Sequence, residues 1–236
     1  MTLLFDYGGT LDTGGNHWGC VIWNVYSRLL PEIDYAKYRE VYVETERWLG
    51  REPIISELTT FKEVLRIKIN HHFHLLSEND PCLQSILSEE KQEEVLDKLY
   101  SIVLSETAKS HRVISSLSKT TDIALVSNFY GNLSTVLQEF HLQDLFPVVV
   151  ESAKVGLRKP DEKIFEYALQ RLGCKNEKAV VIGDSMKNDI RPAKRIGCTT
   201  VWIKGQTWQE QTDEANEADY IINDIAELAE IDFEAK

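Results

Sequence analysis

The sequence has little positive charge. Its 236 residues contain 26 Lys plus Arg against 38 Asp plus Glu, which gives a formal net charge of −12. This shortage of cations argues against general nucleic-acid binding, because that affinity comes largely from Lys and Arg on phosphates. It also argues against docking on an anionic membrane surface. It does not argue against a small anionic substrate, since a local cation can invert the field of one cleft.

Cysteines are few, and a long apolar run is absent. The four cysteines are far apart and show no paired spacing, which favours reduced thiols over a disulfide frame. No apolar run approaches the roughly 18 residues that a membrane helix needs, and no basic and apolar leader precedes the first residues. We therefore expect a cytoplasmic protein that does not interact with membranes.

Short β-rich runs alternate with helical patterns after about residue 110. In the helical pattern Asp161–Leu172, apolar residues recur on one face. Strands that alternate with helices predict a parallel sheet covered on both sides. The predicted strands are Leu3–Phe5, Ile123–Val126, Pro147–Val150, Ala179–Ile182, Thr199–Ile203 and Tyr220–Ile222.

Residues 16–108 have a different pattern, which is mostly helical and contains no clear strand. The helical patterns are Tyr35–Leu49, Ser56–Leu75 and Glu89–Ser105. The entry to this region is rich in glycine, which permits turns and hinges. We predict a helical domain at residues 16–108, inserted after the first strand of an α/β core formed by residues 1–15 and 109–236.

Polar side chains follow three of the predicted strands. Ligands of parallel α/β sheets bind outside the carboxyl ends of the strands, so these side chains are expected to share one cleft. They are Asp6 after the first strand, Ser127 and Asn128 after Ile123–Val126, and Asp184 and Asp189 after Ala179–Ile182. Taken alone, Asp6 is equally well explained as a turn residue, because Asp and Gly cluster in tight turns.

Converging carboxylates repel one another unless a cation lies among them. Lys159, just before the helical pattern Asp161–Leu172, offers one cation. Carboxylate oxygens are hard ligands that favour Mg²⁺ as a second. A metal beside a nucleophilic carboxylate, with Ser and Lys as donor groups, suits transfer of a phosphoryl group to Asp.

With these residues in this order, the chain resembles the haloacid dehalogenase superfamily of hydrolases. Its four motifs occur in the family's order across the chain. They match Phe5-Asp6-Tyr7-Gly8-Gly9-Thr10-Leu11, Leu125-Val126-Ser127-Asn128, Lys159-Pro160-Asp161, and Val181-Ile182-Gly183-Asp184-Ser185 with Asn188-Asp189-Ile190. The resemblance implies a Rossmann-like parallel core, and the insertion lies where this family carries a helical cap of the C1 type.

The resemblance also implies catalytic and binding roles. Asp6 would be the nucleophile that takes the phosphoryl group, and Thr10 would help to fix its loop. Ser127 and the backbone N–H of Asn128 would bind a phosphate oxygen. Lys159 would bind the phosphate and stabilise the charge on it and on Asp6. The expected substrate is a small phosphorylated metabolite.

The implied cofactor is Mg²⁺. The resemblance assigns its ligands to Asp6, the backbone carbonyl of Gly8, Asp184 and Asp189, the last of these directly or through water or Lys159. The expected activity is therefore a Mg²⁺-dependent phosphatase that works through a phospho-aspartate intermediate. The sequence predicts no oligomeric state.

One position departs from the family's pattern. Phosphatases of this family usually place a second Asp, the general acid and base, where this chain has Gly8. The substrate can have a good leaving group, or another residue such as His17 can supply the proton. The alternative is a weak or inactive pseudoenzyme that binds a phosphorylated ligand. A metal-free 2-haloacid dehalogenase fits less well, because Asp184 and Asp189 suit a metal.

Overall fold

A six-stranded parallel sheet forms the centre of the protein, in a computed structural model that describes residues 1–208 and 217–233. Its strands are β1 Thr2–Phe5, β2 Asp122–Ser127, β3 Val148–Glu151, β4 Ala179–Gly183, β5 Thr199–Ile203 and β6 Tyr220–Ile222. The spatial order is β3-β2-β1-β4-β5-β6, and all neighbouring strands are parallel. All six predicted strands are confirmed. Of the predicted core range, residues 209–216 and 234–236 lie outside the described residues.

Helices lie in each of the four connections that lead from β1 to β5 along the chain. They are α1 Trp18–Leu29, α2 Tyr35–Arg51, α3 Phe61–Asn79, α4 Glu89–Leu117, α5 Leu133–Glu139, α6 Ser152–Val155, α7 Lys163–Leu172 and α8 Arg191–Arg195. This arrangement confirms the α/β class with a Rossmann-like parallel sheet. Within the described ranges, no helix combines the length and the apolar character needed to cross a membrane.

Helices α1 to α4, which we call the cap helices, all lie between β1 and β2 in the chain. All three predicted helical patterns differ from the observed bounds, and α2 differs least, since it ends at Arg51 rather than at Leu49. α3 begins at Phe61 rather than at Ser56, because the Thr60 side chain accepts from the Glu63 N–H and caps the helix there. α4 continues to Leu117, so the proposed boundary at residue 108 falls inside a continuous helix. The division into two domains remains a prediction.

The two faces of the sheet are covered by different apolar clusters. Leu3 and Phe5 of β1 are buried in the larger cluster, which includes residues of all four cap helices and of α5. Leu4, between them, is buried in a second cluster with residues of α7. Successive strand residues point to opposite faces, so a strand covered on both faces reads as a continuous apolar run. This burial explains why β1 is short and apolar, and it fixes the position of the residue that follows it.

Candidate active site

Asp6 lies at the carboxyl end of β1, which is one of the two central strands of the sheet. Its backbone N–H donates to the Ile182 carbonyl of β4 at 2.9 Å, so the sheet pairing extends to this residue. Its side chain is buried, with only 6% of the residue exposed. The carboxylate is therefore held at a fixed point above the middle of the sheet.

Lys159 reaches this carboxylate from the segment before α7. Its Nζ lies 2.6 Å from Asp6 Oδ1 and 2.6 Å from Asp189 Oδ1, and the lysine is 4% exposed. Burial by itself would lower the pKa of Lys159, but the Asp189 and Asp6 carboxylates outweigh burial and raise this pKa. The ammonium therefore stays charged between two acids that lie far apart in the sequence.

Asn128 fixes the backbone of Lys159. The Lys159 N–H donates to Asn128 Oδ1, and Asn128 Nδ2 donates to the Lys159 carbonyl, both at 3.0 Å. This side-chain clamp adds to the backbone role that the motif implies for Asn128. Ser127, the neighbouring candidate, ends β2 and is 1% exposed. The structure thus brings Ser127 to the strand end adjacent to Asp6, since β2 pairs with β1.

Asp184 and Asp189 complete a group of three acids with Asp6. One carboxylate oxygen from each lies within 4.8 Å of the others, and this is the one such group of metal-binding residue types that the described part of the chain contains. Asp189 also accepts from the Ser185 N–H at 3.1 Å. Desolvation, followed by the charges of Asp6 and Asp189, raises the pKa of Asp184, and desolvation likewise raises the pKa of Asp189 against the opposing charge of Lys159. The three charges are therefore only partly compensated by the lysine.

Thr10 connects two of these acids. Its hydroxyl lies 3.2 Å from Asp6 Oδ2 and 2.9 Å from Asp184 Oδ1, and it accepts from the Asp184 N–H at 3.1 Å. Thr10 is completely buried. The loop-fixing role that the sequence predicts for Thr10 stays a prediction.

Gly8 and Gly9 differ in the space around them. A Cβ atom on Gly9 would meet the Asp184 carboxyl group at 2.5–2.7 Å, and Gly9 also has a φ of +94°. A Cβ atom on Gly8 would meet nothing within 4 Å. Glycine is thus required at position 9 by conformation and close approach, whereas no steric reason requires it at position 8.

Asp12 is a residue of this loop that the sequence analysis missed. Its Oδ1 accepts from the Gly9 N–H at 2.7 Å, and its Oδ2 accepts from Trp18 Nε1 of α1 at 3.0 Å. It is 1% exposed, and burial raises its pKa to about 7. An acid six positions after Asp6, inside the glycine-rich segment, was the available signal. Asp12 ties the loop after β1 to the first cap helix.

His17 caps the N-terminus of α1. Its Nδ1 accepts from the Gly19 N–H at 3.0 Å, and its ring stacks on Trp208 with centroids 5.6 Å apart. Burial lowers the pKa of His17 to about 4, so the ring is neutral at pH 7. With this pKa the ring is a weak base and a poor proton donor at pH 7, and its Nδ1 already accepts from Gly19. A substitute acid and base role for His17 remains a prediction.

Comparison with known proteins identifies the family. Residues 55–203, more than half of the chain, match the profile of the haloacid dehalogenase-like hydrolases. The chain belongs to this family. The matched range contains Ser127, Lys159, Asp184 and Asp189, and it begins after the loop that carries Asp6.

The proteins similar to this chain include a curated phosphatase and solved structures. The glyceraldehyde 3-phosphate phosphatase of Methanocaldococcus jannaschii is 41% identical over 91 residues, which cover 38% of this chain and 39% of that protein. The chain thus matches about two fifths of the length of this curated relative. A crystal structure of a HAD phosphatase from Thermococcus onnurineus is 25% identical, with a TM-score of 0.54 over 97% of this chain and 96% of that one.

A second solved structure has a similar fold. A structure of YfnB from Bacillus subtilis, bound to magnesium, is 21% identical and has a TM-score of 0.58, with 97% of this chain and 96% of that chain covered. Both structural matches cover nearly the whole chain, which includes the cap helices. The likeness to YfnB is one of fold.

Proposed function

We propose that the protein is a Mg²⁺-dependent phosphatase that hydrolyses a small phosphorylated metabolite through a phospho-Asp6 intermediate. The observation that carries the proposal is the Asp6 carboxylate above the central strands, which contacts Lys159 and has an oxygen within 4.8 Å of oxygens of two further acids. The phosphatases among the similar proteins support the same activity class.

The donor set fits a hard divalent cation. Three carboxylates with oxygens within 4.8 Å of one another carry more negative charge than one lysine compensates. All of their ligand atoms are oxygen, which Mg²⁺ prefers. Asp6, the Gly8 carbonyl, Asp184 and Asp189 would hold the ion. Bound there, Mg²⁺ would neutralise the charge of the phosphoryl group and orient it.

The chain's own residues would carry out two displacements. In the first, an Asp6 oxygen forms a bond to phosphorus while the ester P–O bond breaks, and the leaving alcohol takes a proton from water in the cleft. In the second, water attacks the phospho-Asp6 phosphorus, which releases inorganic phosphate and restores the carboxylate. Lys159 and Ser127 would hold the phosphoryl oxygens, and Thr10 would keep Asp6 oriented.

Asp6→Asn tests this mechanism directly. We expect the variant to lose turnover on a panel of phosphate monoesters, while the exposed Asp144→Asn control keeps the wild-type rate. EDTA should remove the activity and added Mg²⁺ should restore it. Wild-type rates in Asp6→Asn, or activity that is indifferent to EDTA, would overturn the proposal. Halide release from a 2-haloacid without Mg²⁺ would point to dehalogenation instead.

Gly8 favours a second candidate, a pseudoenzyme that binds a phosphorylated ligand without turning it over. The space beside Gly8 is open, and no side chain of residue 8 supplies a proton. General acid–base catalysis contributes about 10²–10⁴-fold to many rates, so its loss is enough to silence an enzyme. Calorimetric binding of phosphate monoesters by a wild-type protein that does not hydrolyse them would select this candidate.

A further inference from the structure

A partly buried polar cluster between the cap helices and the loop after β2 is not used by the proposed chemistry. It consists of Lys68 on α3, Glu46 on α2 and Tyr130 in the loop after β2, and we call it the cap triad. Lys68 Nζ lies 2.6 Å from Glu46 Oε1 and 5.5 Å from the centre of the Tyr130 ring, and the Tyr130 hydroxyl donates to Glu46 Oε2 at 3.1 Å. The Lys68 side chain is 9% exposed and that of Glu46 is 31% exposed. The triad is therefore deep but open on the side of Glu46.

The cap triad lies beside the strand ends that carry the candidate active site. Tyr130 is three residues after Ser127, at the carboxyl end of β2. Tyr42, one helical turn before Glu46 on α2, has its ring 6.1 Å from the ring of His17, in the segment that follows β1. Since β1 and β2 are paired neighbours, the triad lies near the loops that follow two adjacent strands of the site.

Stability alone is a weak reason for such an arrangement. A buried ion pair loses hydration on both partners, and apolar residues of similar size often stabilise a protein as well or better. Another lysine of the same helix makes a comparable set on the surface. Lys62 lies 3.0 Å from Asp97 and 5.1 Å from the Tyr100 ring, and its side chain is 39% exposed. The buried triad differs from this exposed one in its position beside the cleft.

The charges of the cap triad indicate which class of ligand can bind to it. Lys68 and Glu46 cancel each other, so an approaching anion meets the carboxylate and an approaching cation meets the ammonium. A hydroxyl group can accept from Lys68 and donate to Glu46 at the same time. We propose that Lys68 and Glu46 bind a hydroxyl group of the leaving alcohol, and that the protein prefers phosphate esters of neutral polyols. This inference rests on the proposed phosphatase function.

Two esters that differ only in hydroxyl groups test the inference. Glycerol 1-phosphate and n-propyl phosphate both release a primary alcohol, so the missing acid at Gly8 affects both. We expect kcat/KM to favour glycerol 1-phosphate by about tenfold, since only its hydroxyl groups can hydrogen-bond the remaining Lys68 protons and Glu46 lone pairs. Lys68→Met and Glu46→Gln should remove most of this preference by lowering kcat/KM for glycerol 1-phosphate more than for n-propyl phosphate, while Lys62→Met keeps the wild-type ratio.

The outcomes separate the inference from the function on which it rests. Equal kcat/KM for the two esters, or a preference for 3-phosphoglycerate with its carboxylate, would overturn the inference and leave the phosphatase intact. If no ester is hydrolysed, the phosphatase proposal fails. The hydroxyl preference is then tested by calorimetric binding of the two esters to Asp6→Asn. A Kd for glycerol 1-phosphate about tenfold below that for n-propyl phosphate supports hydroxyl recognition, and equal Kd values contradict it.

Discussion

At the scale of single residues, the loop after β1 separates a glycine that the fold requires from one that it does not. Gly9 has a positive φ and lies against the Asp184 carboxyl group, so any side chain there would clash. Gly8 has neither constraint. The missing acid is therefore a chemical property of this site, and it can be restored without disturbing the backbone.

We predict that Gly8→Asp raises kcat for n-propyl phosphate by at least about tenfold, because it supplies a general acid worth about 10²–10⁴-fold. p-Nitrophenyl phosphate, whose leaving group needs no proton, should change little. Gly8→Asn is the matched control, since it has the same size and no proton to give. A wild type that is already fast, with both variants equal to it, would show that another group handles the proton.

His72 is a buried residue whose protonation affects stability. Its Nδ1 lies 3.1 Å from the Tyr26 hydroxyl, and burial lowers its pKa from 6.5 to about 3. The unfolded chain therefore binds this proton first, and the free energy of unfolding falls as the pH drops below about 6.5. Between pH 7 and pH 5 we expect the wild type to lose roughly 2 kcal/mol more than His72→Gln.

Urea denaturation at both pH values measures this difference. The control is His74→Gln, which changes an exposed histidine of the same helix and should follow the wild type. Parallel pH dependence in the wild type and His72→Gln would contradict the assigned protonation of His72.

At the scale of elements, the start of α3 is tied to α5 by one carboxylate. Glu139, the last residue of α5, accepts from the Phe61 and Lys62 N–H groups at the first turn of α3. It also accepts from the Tyr100 hydroxyl of α4 at 2.8 Å. A negative charge at a helix N-terminus satisfies free N–H groups and interacts favourably with the helix dipole. One side chain thus connects two cap helices to the helix that follows β2.

We predict that Glu139→Ala lowers the free energy of unfolding by about 1–3 kcal/mol, because it leaves partly buried donors without a partner. The control is Glu63→Ala, which removes an exposed carboxylate from the same helix start, where Glu63 accepts from the Thr60 N–H at 2.7 Å. Chemical denaturation should show the smaller effect for Glu63→Ala. Equal effects would mean that the link from α5 adds nothing beyond an ordinary cap.

At the scale of the whole molecule, part of the excess negative charge behind the net charge of −12 is concentrated at one site. Three of the acids come from the ends of β1 and β4 and from the short π-helix Met186–Ile190 after β4, and Lys159 compensates them only in part. A divalent cation at this point would stabilise the folded chain, since the acids come together only on folding. Mass action makes this stabilisation about 2.7 kcal/mol when the ion is at 100 times its Kd.

We therefore predict that Mg²⁺ raises the Tm of the wild type in a thermal melt and that EDTA reverses the rise. Asp184→Asn should lose most of the Mg²⁺-dependent rise, while the exposed Asp144→Asn variant keeps it. A rise of the same size in Asp184→Asn would show that Mg²⁺ binds elsewhere on this acidic surface. An unchanged wild-type Tm over millimolar Mg²⁺ would contradict the metal site.

The sequence by itself determined the sheet and the convergence of the site. Its strands are short apolar runs, which is a local property of the chain, and the positions of Asp6, Ser127 and Asp184 follow directly from where those runs end. Long-range packing decided the rest. The Asn128 clamp on Lys159, the contact of Asp12 with Trp18 and the cap triad each join segments whose approach depends on how helices pack. No local periodicity records such contacts, so only the tertiary structure could reveal them.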